Sequence, residues 1–201
     1  WHLETSAHGA WFLKLKKTGK SAHASLPEHG INAAEILTEA LAGINKDAKD
    51  YQKSELAISL TRINSGKAMN QIPDYAEAVL DIRFRNNDVQ KKIGADIKKI
   101  CKKHAVETET IVTAGCMNVD LNKKEIMDFV SVAEQVLGRK IPAGHSLGTT
   151  DARYFCANGI PCVVIQPDGG GRHAEDEWVD EKGLSDFCEI IHKYILEYTL
   201  I

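Results

Sequence analysis

His173 stands in the segment Gly169-Gly170-Gly171-Arg172-His173-Ala174-Glu175-Asp176-Glu177, where an imidazole follows a run of glycines and is itself followed by carboxylates. Such an arrangement suits a metal ligand. Glycine lets the backbone take conformations closed to other residues and approach a bound ion, a neutral ring nitrogen binds zinc, and a neighbouring carboxylate fixes the tautomer or joins the coordination. An acidic surface loop with an incidental histidine is the commoner explanation of a lone His, so the reading depends on what accompanies it.

Three other places carry chemistry. Gly19-Lys20-Ser21-Ala22-His23-Ala24-Ser25 sets His23 among small residues that let a substrate approach the ring, which is then able to donate a hydrogen bond to an oxyanion. A surface histidine in a strand-to-helix loop is the plain alternative. Asn70-Gln71-Ile72-Pro73 leads into a strand where Asp81, Arg83 and Arg85 share the face opposite Ala78, Leu80, Ile82 and Phe84. There the Arg83 guanidinium has the shape to grip a carboxylate with two parallel hydrogen bonds, and the Asn70 amide to hold a neighbouring carbonyl. Charges alternating on an open sheet face more often just keep it solvated, with Asp81 and Arg83 as ion-pair partners. Gly148-Thr149-Thr150-Asp151-Ala152-Arg153 reads as a helix opening with free amides and two hydroxyls, fit for a substrate carboxylate and explained nearly as well by N-capping.

The elements that must position these residues fall into two regions of different grammar. Trp11 to Lys17 alternates as a half-buried strand, and Asn32 to about Ala48 carries Ala33, Ile36, Leu37, Ala40, Leu41 and Ile44 at helical spacing with Asn32 as N-cap. Leu56 to Ile63 and Ala76 to Arg85 are period-two runs. A second helix from Val89 has Ile93, Ile97, Ile100 and His104 on one stripe and lysines elsewhere, and Val106 to Thr113 is a closing strand. The order βαββαβ predicts a ferredoxin-like α+β unit, a four-stranded antiparallel sheet with two helices on one face. From about Val119 the pattern becomes α/β: a helix through Ile126, Phe129, Val130, Ala133, Val136 and Leu137, a helix opening at Gly148, a buried strand Pro161 to Ile165, and a last helix using Leu184, Phe187, Cys188, Ile191, Tyr194, Ile195 and Tyr198. This αβα piece wants more strands than the chain supplies, so residues 119 to 201 are expected to be the later part of a domain whose first part lies outside this polypeptide.

Composition removes several function classes. The 201 residues are 43% hydrophobic and 26% charged, enough for a proper core, and a formal net charge of -3 argues against nucleic acid or an anionic membrane as the main partner. Cys101, Cys116, Cys156, Cys162 and Cys188 are odd in number and widely spaced, as buried thiols of a reducing, cytoplasmic compartment would be. No apolar run is long enough for a transmembrane helix, and the start Trp1-His2-Leu3-Glu4 is expected not to be the gene's own N-terminus.

Taken together, Gly19 to Ala24, Asn70 to Pro73 leading to Asp81-Ile82-Arg83, Gly148 to Arg153, and His173 to Glu177 closely resemble the zinc amidohydrolases that include succinyl-diaminopimelate desuccinylase, acetylornithine deacetylase, aminoacylase and glutamate carboxypeptidase. The motifs occur in that family's order and span almost the whole chain. The resemblance implies a lid and dimerisation domain over residues 9–117, inserted in a catalytic α/β domain of which 118–201 is the C-terminal part and the N-terminal part is absent. It implies two zinc ions per full-length subunit, with Co2+ or Mn2+ as substitutes, and His173 as a ligand of one. His23 would reach the partner subunit's active site to stabilise the tetrahedral oxyanion, while Asn70, Arg83, Gly148 and Thr149 hold the substrate's backbone and carboxylate. The reaction implied is metal-assisted hydrolysis of an amide in an N-acyl amino acid or short peptide with a free carboxylate, in a homodimer that binds neither nucleic acid nor membrane.

A departure from the family is equally plain. The remaining ligands and the general base should precede the lid, and no His-x-Asp pair, bridging Asp or Glu-Glu pair occurs before Gly19. A hydrolytic zinc takes about three protein ligands plus water, so the chain alone is expected to be inactive. The rival reading is a non-catalytic dimerisation or binding module. A further rival, an RNA-binding sheet, needs paired aromatics on the central strands, and Leu56 to Ile63 and Ala76 to Arg85 offer only Phe84, on the helix side.

Overall fold

The computed structural model describes residues 1–51, 54–171 and 173–198. In chain order the elements are β1 (His2–Ala7), β2 (Gly9–Thr18), α1 (Ala33–Ala48), β3 (Leu56–Ser65), β4 (Tyr75–Phe84), α2 (Asn87–Lys103), β5 (Glu107–Ala114), β6 (Met117–Asn118), α3 (Lys124–Leu137), β7 (Ala143–Ser146), α4 (Ala152–Ala157), β8 (Val164–Gln166), β9 (Gly169–Gly170), β10 (Trp178–Val179) and α5 (Glu181–Tyr198). They form two units, one of residues 8–116 and one of residues 1–7 with 117–201.

The 8–116 unit is the βαββαβ arrangement, with sheet order β3-β4-β2-β5 and every pair antiparallel. Period two decides its layers: Leu13 and Leu15 on β2 and Ala76, Ala78, Leu80, Ile82 and Phe84 on β4 are buried against Leu37, Ala40, Leu41 and Ile44 of α1 and Ile93, Ile97 and Cys101 of α2. Both helices begin at asparagine caps. The Asn32 side chain accepts from the Ala34 and Glu35 amides, and Asn86 from those of Asp88 and Val89. The opposite face carries ion pairs, Lys14 with Glu77 and Lys16 with Glu109.

The central pair of strands is β4 and β2, not the β3 and β4 from which the aromatics of the open face are read in the sequence. β2 adds Phe12 on the open face, with the Arg83 guanidinium carbon 5.5 Å from its ring centroid. Trp11, on the other side of β2, packs against the helix-covered core. The other aromatic on this face, Tyr75, lies at the far end of β4, opposite Thr18, with its hydroxyl donating to Glu77 (3.1 Å), so the two rings are not the neighbours on the sheet that stacking of RNA bases requires.

The other unit is built around β1, a strand absent from the sequence reading. β1 pairs in parallel with β7 on one side, and antiparallel with β8 at His2–Glu4 and with β6 at Ser6–Ala7 on the other. Trp1 and Leu3 pack with Phe129 and Ala133 of α3 and Ile190 of α5, while Ala7, Met117 and Ala152 form a separate cluster. Three expectations need correction here. The apolar run Pro161 to Ile165 forms a strand only at Val164–Gln166, because pairing with β1 starts at Val164 and proline has no amide to give to a ladder. The helix expected at Gly148 begins at Ala152 and is six residues long. On α5 the covered side is Gly183 and Ile190 with Phe187, Ile191 and Tyr194 half-buried, whereas Leu184, Ile195 and Tyr198 are exposed, since periodicity marks an apolar stripe without fixing how much of it finds a cover. No helix among the described residues is long and apolar enough to cross a membrane.

Candidate functional site

In the 8–116 unit the loop after β2 folds back on itself. Gly19 donates its amide to the Asp74 carbonyl (2.8 Å), and Lys20 and Ile31 exchange backbone hydrogen bonds of 2.9 Å each. A Cβ on Gly19 would lie 2.2 Å from the Ile31 carbonyl oxygen, so only glycine admits this approach. Beyond it, His23 pairs with Gln71, the Ala24 amide donates to the Asn70 carbonyl (2.9 Å), and the Ile72 amide donates to the Ala22 carbonyl (2.8 Å). Two of the candidate residues, His23 and Asn70, far apart in sequence, are thus brought together by main-chain hydrogen bonds.

The His23 ring is solvent-exposed at the head of a turn closed by the Leu26 amide on the His23 carbonyl (2.9 Å). Its Nδ1 lies 2.8 Å from Ser25 Oγ and accepts from the Ser25 amide at 3.2 Å. Beside the loop opens a cavity of about 510 Å3, bordered by Ala24, Pro27, Asn32, Glu35, Gln71 and Pro73. Asn70 is exposed as well. An exposed imidazole and amide next to residues that border a cleft suit contact with a ligand better than packing does.

Arg83 lies on β4 between Ala10 of β2 and Ala57 of β3 and is half-buried. Its Nε donates to Asp81 Oδ1 (2.6 Å) and its Nη2 to Asp81 Oδ2 (2.9 Å). The two-pronged grip that a substrate carboxylate would need is therefore made here to a carboxylate of the same strand face.

In the other unit, Gly148 and Thr149 precede α4. The Gly148 amide donates to Ser146 Oγ (3.3 Å), and Thr150 Oγ1 accepts from the Ala152 amide (3.4 Å). Arg153 turns back to the same segment, donating to the Thr150 carbonyl (2.9 Å) and to Asp151 (3.1 Å) with its guanidinium 4.2 Å from the Tyr154 ring centroid. A helix of this length has a weak dipole, so any anion held here would rely on Arg153 and the hydroxyls, a role the sequence reading gave to the helix end.

His173 lies beyond β9, whose two glycines pair with Trp178 and Val179 of β10. The glycine run serves that pairing: a Cβ on Gly170 would meet Trp178 Nε1 at 2.7 Å. Gly171 has φ +67°, and His173 has φ +63°, uncommon for a residue with a side chain. The Ala174 amide closes the turn on the Gly171 carbonyl (2.8 Å). Arg172 of the acidic motif lies outside the described residues. The His173 ring is exposed, no described carboxylate forms an ion pair with it, and among the described residues no group of three or more His, Cys, Asp or Glu could hold a metal. Among the described residues, His173 is thus a single imidazole without companion ligands, and a hydrolytic zinc site takes about three protein donors.

Sequence reasoning passed over two features. Ser25 has a sequence signal, a hydroxyl two residues after a candidate histidine. The Ser6 Oγ to His145 Nδ1 contact of 2.7 Å has none, because it depends on the pairing of β1 with β7. All five cysteines are free, and burial pushes the Cys101 thiol up to about 11 and raises those of Cys116 and Cys162, so these three stay protonated and are poor nucleophiles.

Comparison with known proteins agrees with this architecture. A hippurate hydrolase of Campylobacter jejuni is 34% identical over 71% of this chain and 39% of its own length. A succinyl-diaminopimelate desuccinylase of Psychrobacter sp. is 25% identical over 92% of this chain and 48% of its own. The chain therefore spans about half the length, or less, of these curated relatives. Among solved structures, the aminopeptidase PepT of Bacillus cereus superposes with a TM-score of 0.79 over 96% of this chain and 53% of its own, at 21% identity, a likeness of fold. Residues 5–109, just over half of the 201, match the model of the family described as the peptidase dimerisation domain, and the chain belongs to that family.

Proposed function

We propose that these residues form part of a zinc-dependent hydrolase that cleaves the amide bond of an N-acyl amino acid or short peptide bearing a free carboxylate. The observation that carries the reading is the main-chain pairing that sets His23 beside Asn70 at the rim of a cleft, in the unit that matches the dimerisation family. The names of the relatives, a desuccinylase and a hippurate hydrolase, support the substrate class.

In this reading His23 donates a hydrogen bond to the oxyanion formed when the amide carbonyl is attacked, in the active site of a second subunit that pairs through the 8–116 unit. Asn70 and the Gly148-Thr149 turn hold the substrate's polar backbone. Arg83 takes the substrate carboxylate by exchanging Asp81 for it, or presents the face on which it binds. His173 is one zinc ligand, and the other donors and the general base belong to polypeptide beyond the matched half of the relatives, so residues 1–201 alone hydrolyse nothing. The thiols, expected to be buried, are so only at Cys101, with Cys116, Cys156 and Cys162 half-buried and Cys188 exposed; that all five are free supports a reducing, cytoplasmic location.

The test is a polypeptide of the relatives' length that carries these residues, assayed for bound zinc and for hydrolysis of N-succinyl and N-benzoyl amino acids and short peptides. Activity and zinc are expected in it and not in residues 1–201, and His173→Ala should lower both. Undiminished zinc after that substitution removes the ligand assignment. The second reading, a non-catalytic dimerisation module, draws on the single-imidazole donor set and prevails if the long polypeptide dimerises but cleaves none of these substrates.

A further inference from the structure

We infer that Ser25 is a positioning residue that fixes His23 in the tautomer carrying its proton on Nε2. A main-chain N–H has one proton and no lone pair, so the contact of the Ser25 amide with His23 Nδ1 at 3.2 Å has a single sense: the amide donates and Nδ1 accepts. A neutral imidazole holds one ring proton, which is then on Nε2. The Ser25 hydroxyl, 2.8 Å from the same Nδ1, is free to rotate and adds a second donor to the same nitrogen. Both donors hold the ring plane from one residue, and their positions are fixed in turn. The Leu26 amide closes the turn on the His23 carbonyl, and the Ala24 amide ties the turn to Asn70.

The consequence concerns what the exposed edge of the ring offers. With Nδ1 occupied by donors, Nε2 presents an N–H outward and no lone pair. It is thereby prepared to donate to a negative oxygen and unable, while neutral, to take a proton from water, which separates the role of His23 from that of a general base. The opposite tautomer would turn a lone pair toward the developing oxyanion and repel it. This inference rests on the reading of His23 as an oxyanion donor for its purpose, but the proton's position is a property of the chain itself.

The proton can be located without any catalytic assay. In 15N-labelled residues 1–201 at about pH 8.5, above the ordinary range of an imidazole, long-range 1H–15N spectra should show His23 with a bare Nδ1 and a protonated Nε2. The exposed His192, which has no hydrogen-bond or ion-pair partner among the described residues, serves as the internal reference for an unconstrained ring. Ser25→Pro, which removes both donors, should bring the His23 nitrogen shifts to those of His192. Ser25→Ala, which keeps the amide, should fall between, and Ser25→Thr should restore the unaltered pattern. A His23 protonated on Nδ1, or indistinguishable from His192 in the unaltered chain, overturns the inference. The catalytic reading fails separately, if His23→Ala leaves kcat unchanged in the longer enzyme while the tautomer is as described.

Discussion

The two units of this chain reach order by different means. In the 8–116 unit β2, β3 and β4 are ten residues each, one continuous buried cluster runs from Leu13 to Val106, and each helix starts at an asparagine cap. In the unit of residues 1–7 and 117–198 the strands are two to six residues long, the buried residues divide into two clusters, and neither α3 nor α4 has a side-chain cap. Leu147, Tyr154, Phe155, Ile160, Leu184 and Ile195 of the second unit are each about half exposed or more. A region that supplies its own core can carry a function at its rim, such as the His23 loop. Exposed apolar side chains do not separate the units, since Ile31, Ile63, Met69, Ile111 and Val112 of the 8–116 unit are open to a similar degree; the difference lies in strand length, in the continuity of the core and in the caps.

The sharpest way to break this contrast is to remove a core side chain. Phe84→Ala empties a site at 0% exposure and should cost about 3–5 kcal/mol, seen as a large fall in the urea midpoint of the 8–116 unit. Ile195→Ala on α5, starting at 49% exposure, should stay within about 0.5 kcal/mol. Equal losses at the two positions would contradict the difference between the units. Next in size is Gly19→Ala, whose Cβ would collide with the Ile31 carbonyl. It should cost about 1–3 kcal/mol and displace the amide resonances of Ala22, His23 and Gln71, leaving those of α5 in place.

Caps give a smaller and signed difference. Asn32→Ala should destabilise by about 1 kcal/mol in thermal unfolding, because the Ala34 and Glu35 amides lose their acceptor. Lys123→Asn before α3, where no side chain caps the helix, should shift stability the other way. The smallest effect is acidic. Hydrogen bonds from Asn64 and then Tyr75 hold the Glu77 carboxyl below its usual range. A lowered folded-state value means that the contribution of Glu77 is complete above the ordinary glutamate range and is lost as pH falls through the lowered value. In an NMR titration Asn64→Ala should move that midpoint back up, and an unmoved midpoint would discard the assigned cause.

How much of this was legible in the residues differs along the same line. Leu37, Ala40, Leu41 and Ile44 announce α1 because one stripe meets one sheet face, and Asn32 announces its start. The βαββαβ unit follows from local periodicity alone. The pairing of His23 with Gln71 beside Asn70 was not legible, since only the motifs hinted at a common site and the ladder joining them is a tertiary fact. β1 escaped because a strand flanked on both sides buries Leu3, Glu4 and Ala7 without clean alternation. The stripe of α5 was read correctly as apolar and wrongly as covered at Leu184, Ile195 and Tyr198, because a sequence marks what wants burial and not what is present to provide it.

The placement of β1 bears on how the chain comes off the ribosome. Its partners β6, β7 and β8 begin at Met117, Ala143 and Val164, so β1 emerges well before any of these three. The βαββαβ segment is contiguous and has every partner of its own sheet at hand once Ala114 has appeared, so that sheet closes before the ladders of β1 with β6, β7 and β8. Ladders of that sequence separation carry a loop-closure cost that the contiguous sheet is spared.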